Sequence, residues 1–215
     1  MKLIANIIGA TGLVGKQLVQ LLLKDNSFDK VRIFVRHDSN LSHPKLEQHI
    51  VKFSEAKTWS QYLKGDVLFS TLGTTLSQAG NKEAQYEVDY TFNLSFAKKA
   101  KENGIENYIL VSSIGANSKS KVFYTRMKGE LDEAVEKLGF KNITILRSPS
   151  LLGNRKRKRL METIATSTIW VLTKIILKKY RPIRDLTVAQ AMINAATLPN
   201  YDKTIWEADE VFELA

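Results

Sequence analysis

The sequence predicts an α/β protein: a doubly wound, mainly parallel sheet with helices on both faces and a small C-terminal lobe. Three observations predict it. An apolar run at residues 3–8 breaks at Gly9-Ala10-Thr11-Gly12 and resumes at helical spacing as Leu13, Leu18, Leu21 and Leu22. Further apolar runs alternate with helical stretches along most of the chain. No repeat, low-complexity segment or linker interrupts the 215 residues, which hold only four prolines. One domain over 1–215, with the lobe drawn mainly from 150–215, is therefore the simplest account.

The first of these elements is a strand, a glycine turn and a helix, the order a dinucleotide pyrophosphate site needs. The glycines fall at 9, 12 and 15, a G-x-x-G-x-x-G spacing. Gly9 permits a sharp turn, Gly12 lets backbone approach phosphate, and Gly15 lets the helix pack close to the strand. The N–H groups that open the helix face the anion, and the helix dipole favours its charge. Gly9, Thr11, Gly12, Leu13, Val14 and Gly15 are thus the candidates for holding a pyrophosphate in a Rossmann-type fold.

Residues 31–36 (VRIFVR) read as the second strand, and it ends in Arg36; the first acid, Asp38, comes two residues later. An acid at this strand end hydrogen-bonds the ribose 2′-OH of NAD, whereas an arginine accommodates the 2′-phosphate of NADP. A guanidinium suits a phosphate, so NADP(H) is expected over NAD(H). The competing reading of Arg36 is a solvated surface arginine. Residues 49–53 read as the third strand, 56–63 as a short helix, and 66–72 as an apolar fourth strand ending at Gly73-Thr74-Thr75. Ligands of open α/β sheets bind at the carboxyl ends of strands. Leu72, Gly73 and Thr74 are therefore candidates for the middle of the cofactor, with an ordinary βα loop as the alternative. Residues 83–103 read as one long helix closed by Gly104. A fifth strand at 108–111 runs into Ser112-Ser113.

The strongest chemical signal follows. Tyr124 comes eleven residues after Ser113, and Lys128 four residues later again, in a helical stretch at 122–138. That interval puts both side chains on one helix face. A phenol, with a pKa of about 10, is a poor acid–base catalyst at neutral pH, and an adjacent ammonium lowers that value by favouring phenolate. Ser113 would hold a substrate carbonyl while Tyr124 passes it a proton. A solvated lysine on an amphipathic helix is the competing reading.

Composition bounds the rest. Hydrophobic residues make up 44% and charged ones 25%, ordinary for a globular protein. With no cysteine there is no disulfide, thiolate metal site or cysteine nucleophile. His37, His43 and His49 show no ligand spacing, so no metal is expected. The N-terminus lacks a basic region followed by a cleavable apolar segment, and the expected location is cytoplasmic. The net charge of +10 suits an anionic ligand, nucleic acid or a membrane surface without choosing among them. Five consecutive cations, Arg155 to Arg159, are read first as a solvated helix start, and nucleic acid is not expected because no aromatics interleave them. The apolar stretch 164–177 is shorter than a membrane span and contains Lys174, so no transmembrane segment is expected. It suits a cover for the substrate cleft, a homodimer face or a membrane-surface face equally. Residues 183–196 read as a short strand and a helix, and 204–208 as a last strand.

The chain resembles the short-chain dehydrogenase/reductase superfamily, specifically its atypical members related to NmrA-like and human Tat-interacting oxidoreductase proteins. The resemblance rests on IIGATGLVG (7–15), VRIFVR (31–36), DVLFSTLGTT (66–75), VSSIGA (111–116), YTRMKGE (124–130), LRSPSLLGNR (146–155) and YRPIRDLTVAQAMINA (180–195). It implies a catalytic set of Ser113, Tyr124 and Lys128, with Ser112 as runner-up for Ser113 and Lys128 also reaching the nicotinamide ribose. Two departures stand out: Arg147-Ser148-Pro149-Ser150 carries its proline one place late, and 51–54 (VKFS) lacks an acid common near the adenine. The implied function is NADPH-dependent reduction of a carbonyl or similar small acceptor. A cofactor-binding regulator that senses NADPH and engages a partner protein without turnover is the alternative that the NmrA-like resemblance allows.

Overall fold

The computed structural model describes residues 2–149, 151–152, 181–198 and 203–215. The basic run 155–159, the apolar stretch 164–177 and most of the expected lobe lie outside the described residues. A seven-stranded, wholly parallel sheet runs in the order β3-β2-β1-β4-β5-β6-β9. Its strands are β1 (Leu3–Ile8), β2 (Phe28–Val35), β3 (Leu46–Ile50), β4 (Val67–Ser70), β5 (Asn107–Ser113), β6 (Asn142–Ser148) and β9 (Ile205–Glu207). A separate two-stranded parallel pair joins β7 (Leu151–Leu152) to β8 (Ile183–Arg184).

Strand order reverses at β1, which has β2 on one side and β4 on the other. This opens a crevice at the carboxyl ends of β1 and β4, where such sheets bind ligands. Both faces of the sheet are covered, as the apolar runs require. Ile7, Ile33 and Phe69 point to a core shared with Leu18 and Leu22 of α1 (Leu13–Lys24) and Val188 and Met192 of the helix Asp185–Thr197. Their neighbours Ile8, Phe34 and Leu68 point the opposite way. There they meet Phe96 of α5 (Asn93–Glu102) and Leu131 and Val135 of α6 (Phe123–Glu136). In this second core Trp59 stacks flat on Phe96, with ring centroids 3.7 Å apart.

Two elements differ from their expected form. The third strand pairs at Leu46–Ile50, not 49–53. Val51 and Phe53 are buried there but lie beyond the strand, so their apolar character marked burial and not pairing. The ladder instead joins 46–50 to 31–35, and at this edge of the sheet Glu47 meets Lys30 and Arg32 across from it. The expected helix over 83–103 is present as one run, but α4 (Lys82–Tyr86) passes into α5 through a π-helical turn over Glu87–Phe92. Asn81 caps α4 by accepting from the Ala84 N–H, and Gly104, at φ +82°, ends α5 as expected. Among the described residues no helix is long and apolar enough to cross a membrane.

Candidate functional site

The glycine loop between β1 and α1 owes its shape to missing atoms. Gly9 has φ +80°, and a Cβ there would lie 2.4 Å from the Thr71 carbonyl carbon. A Cβ on Gly15 would lie 2.1 Å from the Gly9 carbonyl oxygen. Gly12 differs: its nearest neighbour would be 3.2 Å away, and the residue is exposed beside exposed Thr11. Gly12 also caps α1 without a side-chain hydrogen bond, and the first N–H groups of the helix find no acceptor among the described residues. Such a helix start suits an anion, and exposed Gly12 leaves room for a group the size of a phosphate to approach the backbone. Val14 is buried, so only its backbone faces that opening; Leu13 is half-buried.

Arg36 stands exposed one residue past the end of β2, and no described acidic side chain pairs with it. Leu72, Gly73 and Thr74 follow β4, and their loop begins packed against Gly9, where a Cβ would lie 2.5 Å from the Leu72 nitrogen. The Thr74 N–H, however, already donates to Asp89 Oδ2 at 2.7 Å. Asp89 and Asn93 come from the π-helical turn and the start of α5, and both are buried. The Asn93 amide donates to the carbonyls of Val88 (2.9 Å), Asp89 (3.1 Å) and Leu72 (3.3 Å). Its oxygen accepts from the Ser70 hydroxyl. An asparagine that occupies helix carbonyls in this way competes with the backbone ladder, consistent with the π turn at this place.

α6 brings Tyr124 and Lys128 to one face, as the spacing requires. Tyr124 is 36% exposed, whereas Lys128 is 4% exposed, with its ammonium 3.6 Å from Asp89 Oδ1. Burial alone would lower the pKa of Lys128; the charge of Asp89, helped by Tyr124 and Asp132, reverses this and raises it. The ammonium therefore stays charged.

The two serines of β5 point to opposite faces, as alternation dictates. Ser112 is buried and faces Asp132 of α6 without closing a sound hydrogen bond. Ser113 is half-buried, and its hydroxyl makes only a long 3.4 Å contact with the carbonyl of Ile114. No hydrogen bond joins Ser113 to Tyr124. The loop after β5 is pressed onto α6 by Gly129, where a Cβ would lie 2.2 Å from the Ser118 nitrogen, and by a bond from the Asn117 N–H to the Thr125 carbonyl.

Behind the site, Arg147 donates to Asp132 (2.9 Å) and Glu207 (3.0 Å), tying α6, β6 and β9 together. Among the described residues no group of three His, Asp or Glu gathers to hold a metal. Sequence reasoning passed over Asp89, Asn93 and Gly129. The available signals were an acid and an amide four apart within the otherwise apolar VDYTFN, and a glycine inside a helix, which needs a packing reason.

The parallel sheet and the glycine loop after its first strand together define a Rossmann-type nucleotide-binding fold. The chain belongs to the NAD(P)H-binding family, whose sequence model matches residues 9–197. Among its relatives is "Protein FMP52, mitochondrial" of Candida albicans, 37% identical over 173 residues, covering 78% of this chain and 76% of the relative. "Protein FMP52-1, mitochondrial" of Scheffersomyces stipitis is 32% identical over 222 residues and covers 98% and 97%. A UDP-N-acetylglucosamine 4-epimerase from Methanobrevibacter ruminantium superposes with a TM-score of 0.71 at 17% identity, over 99% of this chain and 81% of that one. The Bordetella bronchiseptica enzyme WbmH, solved with NAD+, gives 0.75 at 14% identity, over 96% and 75%. At such identities these structures show the fold alone. The names of the relatives point to mitochondria and overturn the cytoplasmic expectation. That expectation rested on the lack of a secretory leader pattern, which bears only on the secretory route.

Proposed function

We propose that the protein is an NADPH-dependent reductase of a carbonyl or similar small acceptor, acting in mitochondria as its relatives' names suggest. The observation that carries the reading is the face of α6: an accessible phenol one helical turn from a buried, charged ammonium. The glycine loop would hold the pyrophosphate through Gly9, Thr11, Gly12, Leu13, Val14 and Gly15, and Arg36 would pair with the 2′-phosphate. At 72–74 the contact would come through groups other than the Thr74 N–H. Lys128 would reach the nicotinamide ribose. The bound cofactor supplies a hydride to the acceptor carbon. Ser113 orients the carbonyl oxygen, and Tyr124 donates the proton that this oxygen takes up, its phenolate stabilised by Lys128. In the reverse direction Tyr124 takes that proton back.

The test is NADPH oxidation against a panel of aldehydes, ketones and quinones, with Tyr124→Phe assayed beside the wild type. Loss of about 10²- to 10⁴-fold in turnover with NADPH affinity kept is expected. Tight binding with no turnover in either protein would replace the reductase by an NADPH-sensing regulator.

A further inference from the structure

We propose that Asp89 is a positioning residue that locks Lys128 and the cofactor loop into one unit. This rests on the reading above, in which Lys128 and residues 72–74 meet the nicotinamide half of the cofactor.

Lys128 is buried on α6, and an ammonium taken out of water needs a partner charge to stay in place. Asp89 provides it from a different element, and Asp89 is itself only 1% exposed. Its two carboxylate oxygens reach two different parts of the fold. Oδ1 faces the Lys128 ammonium at 3.6 Å, while Oδ2 accepts from the Thr74 N–H at 2.7 Å. At the first distance the ammonium is held chiefly by the charge of the carboxylate. A carboxylate serving both groups means that neither can shift without disturbing the other.

The surroundings are shaped for this arrangement. A Cβ at position 73 would lie 3.2 Å from Asp89 Oδ1, so glycine there leaves the carboxylate its room. The π-helical turn carries Asp89, and Asn93 at its end grips the Asp89 and Leu72 carbonyls together. The loop is thus tied to the turn at Leu72 through Asn93 and at Thr74 through Asp89. A simple structural ion pair would not need the bond to Thr74, and a simple loop clamp would not need the charge facing Lys128.

The test compares binding of NADPH with binding of 2′,5′-ADP, which carries the adenosine half alone. Calorimetry is run on the wild type, Asp89→Asn, Asp89→Ala, Lys128→Met and the double variant Asp89→Ala/Lys128→Met, each checked for a cooperative melt. Asp89→Asn keeps the shape and removes the charge, and the double variant leaves no unpaired buried ion, so both serve if Asp89→Ala does not fold. Asp89→Asn is expected to weaken NADPH about tenfold and to leave 2′,5′-ADP unchanged. In the Lys128→Met background, losing Asp89 should add little further. Equal losses for both ligands, or losses that simply add to those of Lys128→Met, would overturn the proposal, since a purely structural role gives that pattern. A wild type that fails to bind NADPH would overturn the cofactor reading with it. The expected binding pattern in a protein without turnover would support this inference and remove only the reductase.

Discussion

The two walls of the crevice are built on opposite principles. The β1–α1 wall works by absent atoms: at Gly9 and Gly15 a single methyl group would collide with backbone that has nowhere to go. The π-turn and α6 wall works by paired charges and amides, with Asp89 against Lys128, Asn93 across several carbonyls, and Asp132 against Arg147. A wall without side chains is indifferent to ligand detail beyond the phosphate it admits. A wall of buried ionisable groups can hold and move a proton. The contrast suits the proposed division of labour, in which the first wall holds the pyrophosphate and the second holds the nicotinamide half and moves the proton.

The largest effects should come from adding a methyl group where space is missing. Gly15→Ala would drive its Cβ into the Gly9 carbonyl, and Gly129→Ala would drive one into the backbone at Asn117 and Ser118. Each should cost about 3 kcal/mol or more in stability, read from chemical denaturation, because backbone and not a flexible side chain must move. Their functional outcomes should differ. A Gly15→Ala protein that still folds should lose cofactor binding, while Gly129→Ala should move the loop after β5 and lower turnover more than affinity.

Arg36→Ala comes next in size. Removing the guanidinium should weaken NADPH by about tenfold or more and leave NADH nearly unchanged, because only NADPH carries the 2′-phosphate that it would pair with. Equal losses for the two cofactors would return Arg36 to a solvated surface residue.

The smallest expected effect lies outside both walls. His49 is stacked between Phe34 (5.3 Å) and Tyr62 (4.4 Å), and burial pushes its imidazole below the ordinary value, with the charges of Glu47 and Arg32 opposing each other. The folded state therefore prefers the neutral ring. The stability it contributes is complete above the unfolded value of about 6.5 and declines as pH falls through and below it. Melting temperature should drop modestly between about pH 7.5 and 5.5, and His49→Gln should flatten part of that slope.

The difference between the walls also explains what could be read in advance. Glycines, apolar runs and the Tyr124–Lys128 interval are local patterns, and local patterns survive in a sequence. The parallel sheet, the tight glycine loop after its first strand and the shared face of α6 were legible for that reason. Asp89 was not, because nothing near it in sequence announces that a turn would carry it toward Lys128, thirty-nine residues away. Nor was the π turn itself, since helical periodicity over 83–103 does not reveal one extra residue held by an asparagine. The third strand was misplaced by a related effect: Val51 and Phe53 are buried by the second core, while the pairing falls on the more polar, half-buried Leu46–Ile50 at the edge of the sheet.

One paired measurement tests the division of labour most directly: NADPH affinity and carbonyl turnover in Gly15→Ala and Tyr124→Phe, against the wild type. The account predicts that Gly15→Ala loses affinity, and turnover only through it. It predicts that Tyr124→Phe keeps affinity and loses turnover. Parallel loss of both properties in both variants, or a wild type that binds NADPH and reduces nothing in the panel, would contradict it.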